Sequence, residues 1–421
     1  MLLEGGVIID GHGAREEDIK IEGSRIIARG ENLYKEGDTV RRIHEKFLFP
    51  SLIDAHVHFR QPGYEGAEDW SHGARAALAG GVAAVMDMPN NNPITDSLER
   101  LDKKAEFARA RGLDFFFSVA ATEKNVEELD EFDDRAAAVK LFCSPTTGVD
   151  DIPSSPSFWR KVLSSRQAIA VHAEDGRLLK QGAPQSIEVV LSCLRELLPI
   201  ALEQKSRLVI CHVTSVEEVE LINSFKEKGL DVSIEVTPHH LFLSSEDGLG
   251  GRGRVNPPLR SKERVKALRA ALKSGLCDFV SSDHAPHPVA AKDSSSPSAG
   301  MPGVGTLLPV LLTLAAQQEI SYEMIPQLTS IAPSRVYGLD RSPYLEPGEF
   351  ADLVVVDPKQ EWSLLAGDLR CGKSGWSPYE GRVFIGKPEL TMRQGRVLYD
   401  DGDFYGLEKE GKWLNVKRDS L

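Results

Sequence analysis

The sequence predicts an α/β protein: a TIM (β/α)8 barrel with a small β-sandwich domain formed by the N- and C-terminal segments. Eight short apolar segments alternate with amphipathic helical segments through the middle of the chain, which is typical of parallel strands joined by helices. Strand-like segments without a helical period lie at both ends. No GxGxxG follows an early strand, as an open dinucleotide-binding sheet would require. Together these observations favour the closed barrel.

The barrel elements are predicted from the apolar and amphipathic segments in turn. We expect its strands at Leu52–His58, Ala83–Met88, Phe115–Ala120, Ala137–Phe142, Ala168–His172, Arg207–His212, Val232–Val236 and Phe279–Ser282. We expect helices at Gly73–Ala79, Ser97–Arg111, Val126–Phe132, Ile187–Glu203, Val216–Lys228 and Lys262–Lys273. The Ser-, Pro- and Gly-rich stretch Lys292–Gly303 predicts a mobile loop.

The flanking β domain is predicted from both ends of the chain. Its strand-like segments are Gly6–Ile9, Asp18–Glu22, Arg25–Ala28, the stretch around Val40–Phe47, Ala351–Asp357 and Leu390–Tyr399. The predicted boundaries are residues 1–48 for the first part of the sandwich, 49–344 for the barrel, and 345–421 for the second part with a C-terminal tail.

Composition limits the kinds of partner. The net charge of −13, from 50 Lys plus Arg against 63 Asp plus Glu, argues against nucleic acid or an anionic membrane surface as the main partner. The five cysteines are scattered and form no CxxC pair, which favours a reducing compartment over disulfide bonds. The first residues are too polar for a signal peptide, and no apolar run reaches the roughly 20 residues that span a bilayer. We therefore expect a cytoplasmic protein.

Polar side chains stand at the C-terminal ends of five predicted strands. They are His56 and His58 on the first strand, then Lys140, His172, His212 and Asp283. Each alone has a plain structural explanation, such as a hydrogen-bonded core histidine, a snorkelling lysine or a turn-capping aspartate. All barrel strands, however, end at one mouth, and those explanations would have to hold independently at five strand ends. The pattern therefore predicts a metal centre.

Lys140 needs a further step, because an ammonium group does not bind a cation. Its apolar neighbours, Ala-Ala-Ala-Val before it and Leu-Phe-Cys after it, favour a neutral amine. A neutral amine reacts with carbon dioxide to give a carbamate, an anionic ligand whose two oxygens can bridge two metals. Four imidazoles, one carbamate and one carboxylate suit two borderline-soft divalent ions, most simply Zn²⁺.

Nine motifs along the chain resemble those of the amidohydrolase superfamily and, more narrowly, of the dihydroorotase family. They run over nearly the whole chain in the family's order and are highly specific as a set. They are PSLIDAHVHFRQPG (Pro50–Gly63), MDMPNNNP (Met86–Pro93), VKLF (Val139–Phe142), VHAED (Val171–Asp175), CHVTS (Cys211–Ser215), EVTPHH (Glu235–His240), VNPPLR (Val255–Arg260), SSDHAPH (Ser281–His287) and KSGWSPYEG (Lys373–Gly381).

The resemblance implies a role for each matching residue. The six strand-end residues would form the binuclear metal site, and Asp283 would also be the general acid/base. The substrate contacts would be Arg60, Asn90, Asn256, His287 and the backbone at Gly303. Arg60 follows His58 by two residues, so we expect it on the same strand face, where it can pair bidentately with a carboxylate. The motifs imply that His239 and His240 are not ligands and that His284 is structural.

The resemblance also implies a reaction and its partners. The reaction is the reversible hydrolysis of (S)-dihydroorotate to N-carbamoyl-L-aspartate in pyrimidine (UMP) biosynthesis, with two Zn²⁺ ions bridged by carboxylated Lys140. A homo-oligomer is expected, and association with aspartate transcarbamoylase is compatible with this reading. Two alternatives remain open. One is an allantoinase or hydantoinase-type enzyme, which needs no carboxylate clamp; the other is a non-catalytic scaffold, although such relatives typically lack several of the ligands.

Overall fold

Two separate β-sheets organise the chain. The computed structural model describes residues 1–149 and 153–416. In chain order the strands are β1 (Leu2–Asp10), β2 (Gly13–Glu22), β3 (Arg25–Gly30), β4 (Val40–Arg42), β5 (Phe47–Pro50), β6 (Leu52–Val57), β7 (Val82–Asp87), β8 (Asp114–Ala120), β9 (Ala138–Phe142), β10 (Ala168–His172), β11 (Arg207–Ile210), β12 (Asp231–Val236), β13 (Phe279–Val280), β14 (Leu353–Ser363), β15 (Val383–Arg393), β16 (Arg396–Asp400) and β17 (Asp403–Phe404).

Strands β6 to β13 form the predicted barrel. Each pairs in parallel with the next along the chain. The sheet closes where a parallel bridge joins Val57 to His284, and the backbone N–H of His58 donates to the carbonyl of His284 at 2.8 Å. The eight predicted strands are confirmed, each within a few residues of its predicted bounds. Because all eight run in one direction, their carboxyl ends share one rim.

The other nine strands form a second sheet from both ends of the chain, in the order β17-β16-β15-β14-β5-β1-β2-β3 with β4 beside β1. Strands β5 and β14 pair antiparallel, with Leu48 opposite Val355, so the N- and C-terminal segments meet at this ladder. The predicted strand segment Leu390–Tyr399 is divided between β15 and β16, because a turn at Gln394 and Gly395 makes it a hairpin.

Helices follow most of the barrel strands along the chain. They are α1 (Trp70–Ala79), α2 (Leu98–Arg109), α3 (Pro156–Leu163), α4 (Gly176–Lys180), α5 (Ile187–Gln204), α6 (Val216–Lys226), α7 (Pro238–Phe242), α8 (Lys262–Lys273), α9 (Val289–Lys292), α10 (Leu307–Ala316), α11 (Met324–Pro326) and α12 (Ala332–Val336). Short 3₁₀ turns lie at Leu129–Arg135, Gly250–Gly253, Val304–Thr306 and Leu369–Ser374, and a π turn lies at Gln327–Ile331. Of the described helices, none is both long and apolar enough to cross a bilayer.

Side-chain caps fix where the main helices begin. An Asp or Ser residue precedes α1, α2, α3, α6 and α8, and its side chain accepts a backbone N–H from the first turn. The helix predicted at Val126–Phe132 is wrong in type and position, because the segment forms a 3₁₀ turn from Leu129 that is interrupted at Asp133, where φ is +47°. Helix α10 was not predicted, because it is apolar on every side and buried from Leu307 to Ala315.

The barrel interior is apolar at its amino end and polar at its carboxyl end. Small and aromatic side chains such as Ala55, Ala84 and Phe116 fill the lower interior. The C-terminal tail packs beside them, since the N–H of Leu414 donates to the carbonyl of Phe115 at 2.9 Å. All five cysteines are buried as free thiols. The polar side chains of the barrel interior therefore lie at the carboxyl rim, together with the predicted site residues.

Candidate metal and substrate site

The predicted metal ligands converge at the carboxyl rim of the barrel. All six line one pocket, together with Arg60, Asn90 and Asn256. Each of the six is at most 9% exposed. The ligands are His56, His58, Lys140, His172, His212 and Asp283.

The two early histidines point at the late aspartate. Nε2 of His58 lies 3.1 Å from Oδ1 of Asp283, and Nε2 of His56 lies 3.5 Å from the same oxygen. The opposite nitrogen of each ring is already engaged: His56 Nδ1 faces a carboxylate oxygen of Glu235 at 2.8 Å, and His58 Nδ1 faces the amide oxygen of Asn90 at 2.6 Å. Both Nδ1 atoms must therefore carry the proton and donate it.

This arrangement brings acceptors together around one point. With Nδ1 protonated, the Nε2 atoms of His56 and His58 present lone pairs, and they face a carboxylate oxygen of Asp283. Burial lowers the pKa of His56 to about 3 and that of His58 well below its usual value, so neither ring takes up a second proton. Ligand atoms of these three residues lie within 4.8 Å of one another. A divalent cation between them fits this donor set.

The other two predicted histidine ligands face each other directly. Nδ1 of His172 lies 3.0 Å from Nε2 of His212, and Nε2 of His172 lies 3.0 Å from a carboxylate oxygen of Glu174. Nδ1 of His212 is buried without a hydrogen-bond partner among the described residues. In the same pocket, Nζ of Lys140 donates to Sγ of Cys211 at 3.1 Å. The pocket thus holds two imidazole pairs and a lysine.

Backbone strain is concentrated at this site. Arg60, His212 and Asp283 have φ values of +62°, +42° and +45°, a region that residues with a Cβ rarely adopt. His212 and Asp283 lie just beyond the ends of β11 and β13, which are shorter than predicted. At these positions the strained backbone turns the side chains toward the barrel mouth. The alternation of side chains between the two faces of a strand does not continue there.

Arg60 offers unused hydrogen-bond donors. The residue is 2% exposed, and its Nε and Nη1 atoms have no partner among the described residues. Nη2 lies 3.2 Å from Nε2 of His287. Burial lowers the pKa of Arg60 to about 10, so it stays cationic at neutral pH. The expectation that Arg60 shares a strand face with His58 is wrong, because β6 ends at Val57 and the positive φ of Arg60 re-aims its side chain.

The remaining predicted substrate contacts differ in position. Asn90 lines the pocket and donates from Nδ2 to the carbonyl of Thr147 at 2.9 Å. Asn256 also lines the pocket, and its Oδ1 accepts from Gln185 at 2.9 Å. Gly303 does not line the pocket, since its N–H donates to His284 Nδ1 at 3.0 Å; Ala299 and Gly300 lie there instead.

Comparison with known proteins places the chain in a family. Residues 47–398 match the model of the amidohydrolase family. A dihydroorotase from Halobacterium salinarum is 34% identical over 95% of this chain and 96% of its own length. A dihydroorotase from Bacillus licheniformis is 31% identical over 95% of this chain and 98% of its own length. The chain belongs to the amidohydrolase family, among its dihydroorotases.

Two further likenesses are informative in different ways. The multifunctional protein CAD of Squalus acanthias is 35% identical over 85% of this amidohydrolase chain, which matches only 15% of that longer protein. The solved L-hydantoinase (dihydropyrimidinase) from Arthrobacter aurescens superposes with a TM-score of 0.90 at 24% identity, covering 98% of this chain and 99% of that one. The second likeness shows the fold alone.

Two carboxylates of this amidohydrolase were not found by the sequence analysis. Oε1 of Glu235 accepts from His56 Nδ1 and from the N–H of His212 at 3.1 Å, while Oδ1 of Asp54 accepts from the N–H of Ser282 at 2.9 Å. Burial raises the pKa of Asp54 to about 7 and that of Glu235 to about 8. Glu235 stands at the carboxyl end of β12, so the strand-end pattern that marked the histidines also applied to it.

The histidines that the motifs placed outside the metal site make other contacts. His240 bonds to Thr237 Oγ1 at 2.7 Å and to the carbonyl of Pro257 at 3.0 Å. His284 lies between Glu68 and the N–H of Gly303. His239 is buried, and its Nε2 has no hydrogen-bond partner among the described residues. His240 and His284 thus have fully structural surroundings.

Proposed function

We propose that this chain is a dihydroorotase that reversibly hydrolyses (S)-dihydroorotate to N-carbamoyl-L-aspartate. The observation that carries the proposal is one pocket in which the convergent ligand set lies beside Arg60, a buried cation with unused donors. A ring amide and a carboxylate on one small molecule match these two features. The names of the relatives from Halobacterium and Bacillus support the same reaction.

We further propose that the six residues hold two Zn²⁺ ions, with Lys140 carboxylated between them. The fit rests on the donor set: two imidazole pairs whose free nitrogens face each other or a carboxylate, and an orphaned nitrogen on His212. Such ions, when bound, lower the pKa of water and polarise a carbonyl. Glu235 fixes the tautomer of His56 by accepting from Nδ1, which leaves Nε2 as the ligand atom.

Asp283 is the proposed general acid/base. Its Oδ1 faces both early histidines at the centre of the pocket, where attacking water and the scissile amide must meet. We propose that Asp283 accepts the proton of the attacking water and returns it to the departing ring nitrogen. In the opposite direction the same carboxylate assists the condensation of N-carbamoyl-aspartate with loss of water.

Residues of the pocket wall would orient the substrate. Arg60 would bind the substrate carboxylate through its free Nε and Nη1 donors, with Asn90 and His287 beside it. Asn256 would contact the ring, and the backbone of Ala299 and Gly300 would line the approach instead of Gly303.

The deciding experiment is an assay on metal-quantified protein. Turnover of dihydroorotate well above that of hydantoin or allantoin supports the proposal, while the reverse order favours a hydantoinase or allantoinase. Protein that purifies without bound divalent metal and turns over none of the three would be the non-catalytic scaffold.

Assembly and location complete the proposal. We propose a cytoplasmic homo-oligomer that associates with aspartate transcarbamoylase. The match to a segment of a multifunctional protein supports such association, and the five buried free thiols suit a reducing compartment. Sedimentation of the purified chain, alone and mixed with aspartate transcarbamoylase, tests both parts.

A further inference from the structure

A buried lysine stands behind the pocket wall. Lys292, at the end of α9, is 0% exposed, and its Nζ donates to three backbone carbonyls: Arg254 at 2.8 Å, Ser298 at 2.7 Å and Gly300 at 2.7 Å. Three acceptors match the three N–H groups of an ammonium ion. The predicted mobile loop therefore begins at a residue whose side chain is fully engaged.

The three carbonyls belong to two segments that line the pocket. Gly300 lines it directly, and Arg254 is two residues before Asn256. The N–H of Gly300 also donates to the Arg254 carbonyl at 2.9 Å, so Lys292 reinforces an existing junction between the segments. Between Ser298 and Gly300, the carbonyl of Ala299 accepts from His287, the residue next to Arg60.

Among the described residues, the charge of Lys292 is stabilised by backbone carbonyls and not by a carboxylate. Asp293 follows it in the chain but pairs with Arg252, at 3.2 Å. The ring of Trp376 lies 5.8 Å from Nζ, and Trp376 Nε1 donates to the carbonyl of His287 at 2.8 Å. Burial, together with the nearby Arg254, lowers the pKa of Lys292 to about 7.

We propose that Lys292 is a positioning residue that holds the 298–300 segment against the 254–256 segment and so sets the pocket wall that receives the substrate. The proposal rests on the proposed function for its substrate, but the structural part stands on the three carbonyl contacts alone. Lys292 contacts the pocket wall from behind and does not line the pocket. Its loss should therefore weaken substrate binding more than it slows the chemical step.

The test compares Lys292→Met with Lys273→Met. Lys273 also donates to a backbone carbonyl, that of Gln318 at 2.8 Å, but on the exposed surface. In Lys292→Met we expect the Gly300 amide to exchange its hydrogen faster and the KM for dihydroorotate to rise about tenfold, with kcat little changed. Lys273→Met should match the wild type in exchange, KM and kcat.

Other outcomes are equally decisive. Unchanged exchange at Gly300, or a fall in kcat at constant KM, overturns the proposal. If Lys292→Met does not fold, Gly300→Ala replaces it: at φ +128° the new Cβ would lie 2.3 Å from the carbonyl oxygen of Ala285 and displace the same segment. An unchanged KM in that variant also overturns the proposal. Wild-type protein that does not turn over dihydroorotate removes the proposed function, while the exchange comparison still decides whether Lys292 holds the wall.

Discussion

Nζ of Lys104 lies 2.8 Å from Oδ2 of Asp87, and both side chains are completely buried. Lys104 also donates to the carbonyl of Met88 at 2.6 Å, while Oδ1 of Asp87 accepts from the N–H of Phe59 at 2.7 Å. Phe59 precedes Arg60, and Met88 is two residues before Asn90. The ion pair thus links helix α2 to the segments that carry Arg60 and Asn90, two of the proposed carboxylate contacts.

Removal of one partner should be costly. Burial lowers the pKa of Lys104 and raises that of Asp87, and the opposite charge of the partner only partly counters each shift. We expect Lys104→Met to lower the free energy of unfolding by about 3–5 kcal/mol, because a buried carboxylate is left unpaired. Urea denaturation measures this change.

An exposed pair provides the control. Lys161 and Glu127 are joined at 2.6 Å with side chains 57% and 73% exposed, so Lys161→Met should change stability by less than about 1 kcal/mol. The double variant Asp87→Asn/Lys104→Met should recover part of the loss. Equal effects of the two single lysine variants would contradict the argument.

The sequence predicted the site residues that stand at strand ends. Strand β10 ends at His172, its predicted last residue, and the apolar run before His172 indicated where the strand ends. Glu235 carried the same signal on β12. The parallel barrel then explains why residues so far apart in the chain meet at one rim.

The sequence could not reveal which lysines are buried. Lys104 lies in the charged segment LERLDKKAEFAR, where an amphipathic pattern does not distinguish an inward lysine from its exposed neighbours. Lys292 opens a Ser- and Pro-rich stretch whose composition predicts mobility, although three carbonyl contacts hold it. Both roles depend on backbone carbonyls outside the helix that carries the lysine.

Arg60→Ala tests the carboxylate clamp. Because the free Nε and Nη1 donors would form charge-assisted bonds with the substrate, we expect kcat/KM for dihydroorotate to fall by about a hundredfold. Dihydrouracil, the same ring without the carboxylate, is the matched ligand, and its inhibition constant should stay close to that of the wild type. Equal losses for both ligands would mean that Arg60 acts on the pocket and not on the carboxylate.

Metal removal tests the cation between the histidines and Asp283. We expect about two divalent ions per subunit by elemental analysis, and exhaustive chelation should abolish turnover and lower the Tm. Zn²⁺ should restore both. His58→Ala should lose bound metal, whereas His72→Ala should not, since the His72 side chain is 51% exposed outside the pocket. Chelated protein that hydrolyses dihydroorotate at the wild-type rate would contradict the metal site.

Carboxylation of Lys140 would be visible as added mass on the chain. Lys140 is 1% exposed, and among the described residues its Nζ donates to the Cys211 thiol without an ion pair to a carboxylate. A carbamate would convert this unpaired cation into a second anionic ligand in addition to Asp283. Native mass spectrometry should therefore show one added carbon dioxide per chain, lost on acidification.

Substitution separates the carbamate from the charge of the lysine. Lys140→Arg keeps a cation but cannot form the carbamate, so we expect its kcat to fall by at least about a hundredfold, with metal content reduced in parallel. Lys140→Ala should be equally impaired, and added short-chain carboxylic acids should partly restore its activity by occupying the vacated position. If Lys140→Arg retained wild-type activity, the lysine would act through its positive charge, and the bridging-ligand proposal would be wrong.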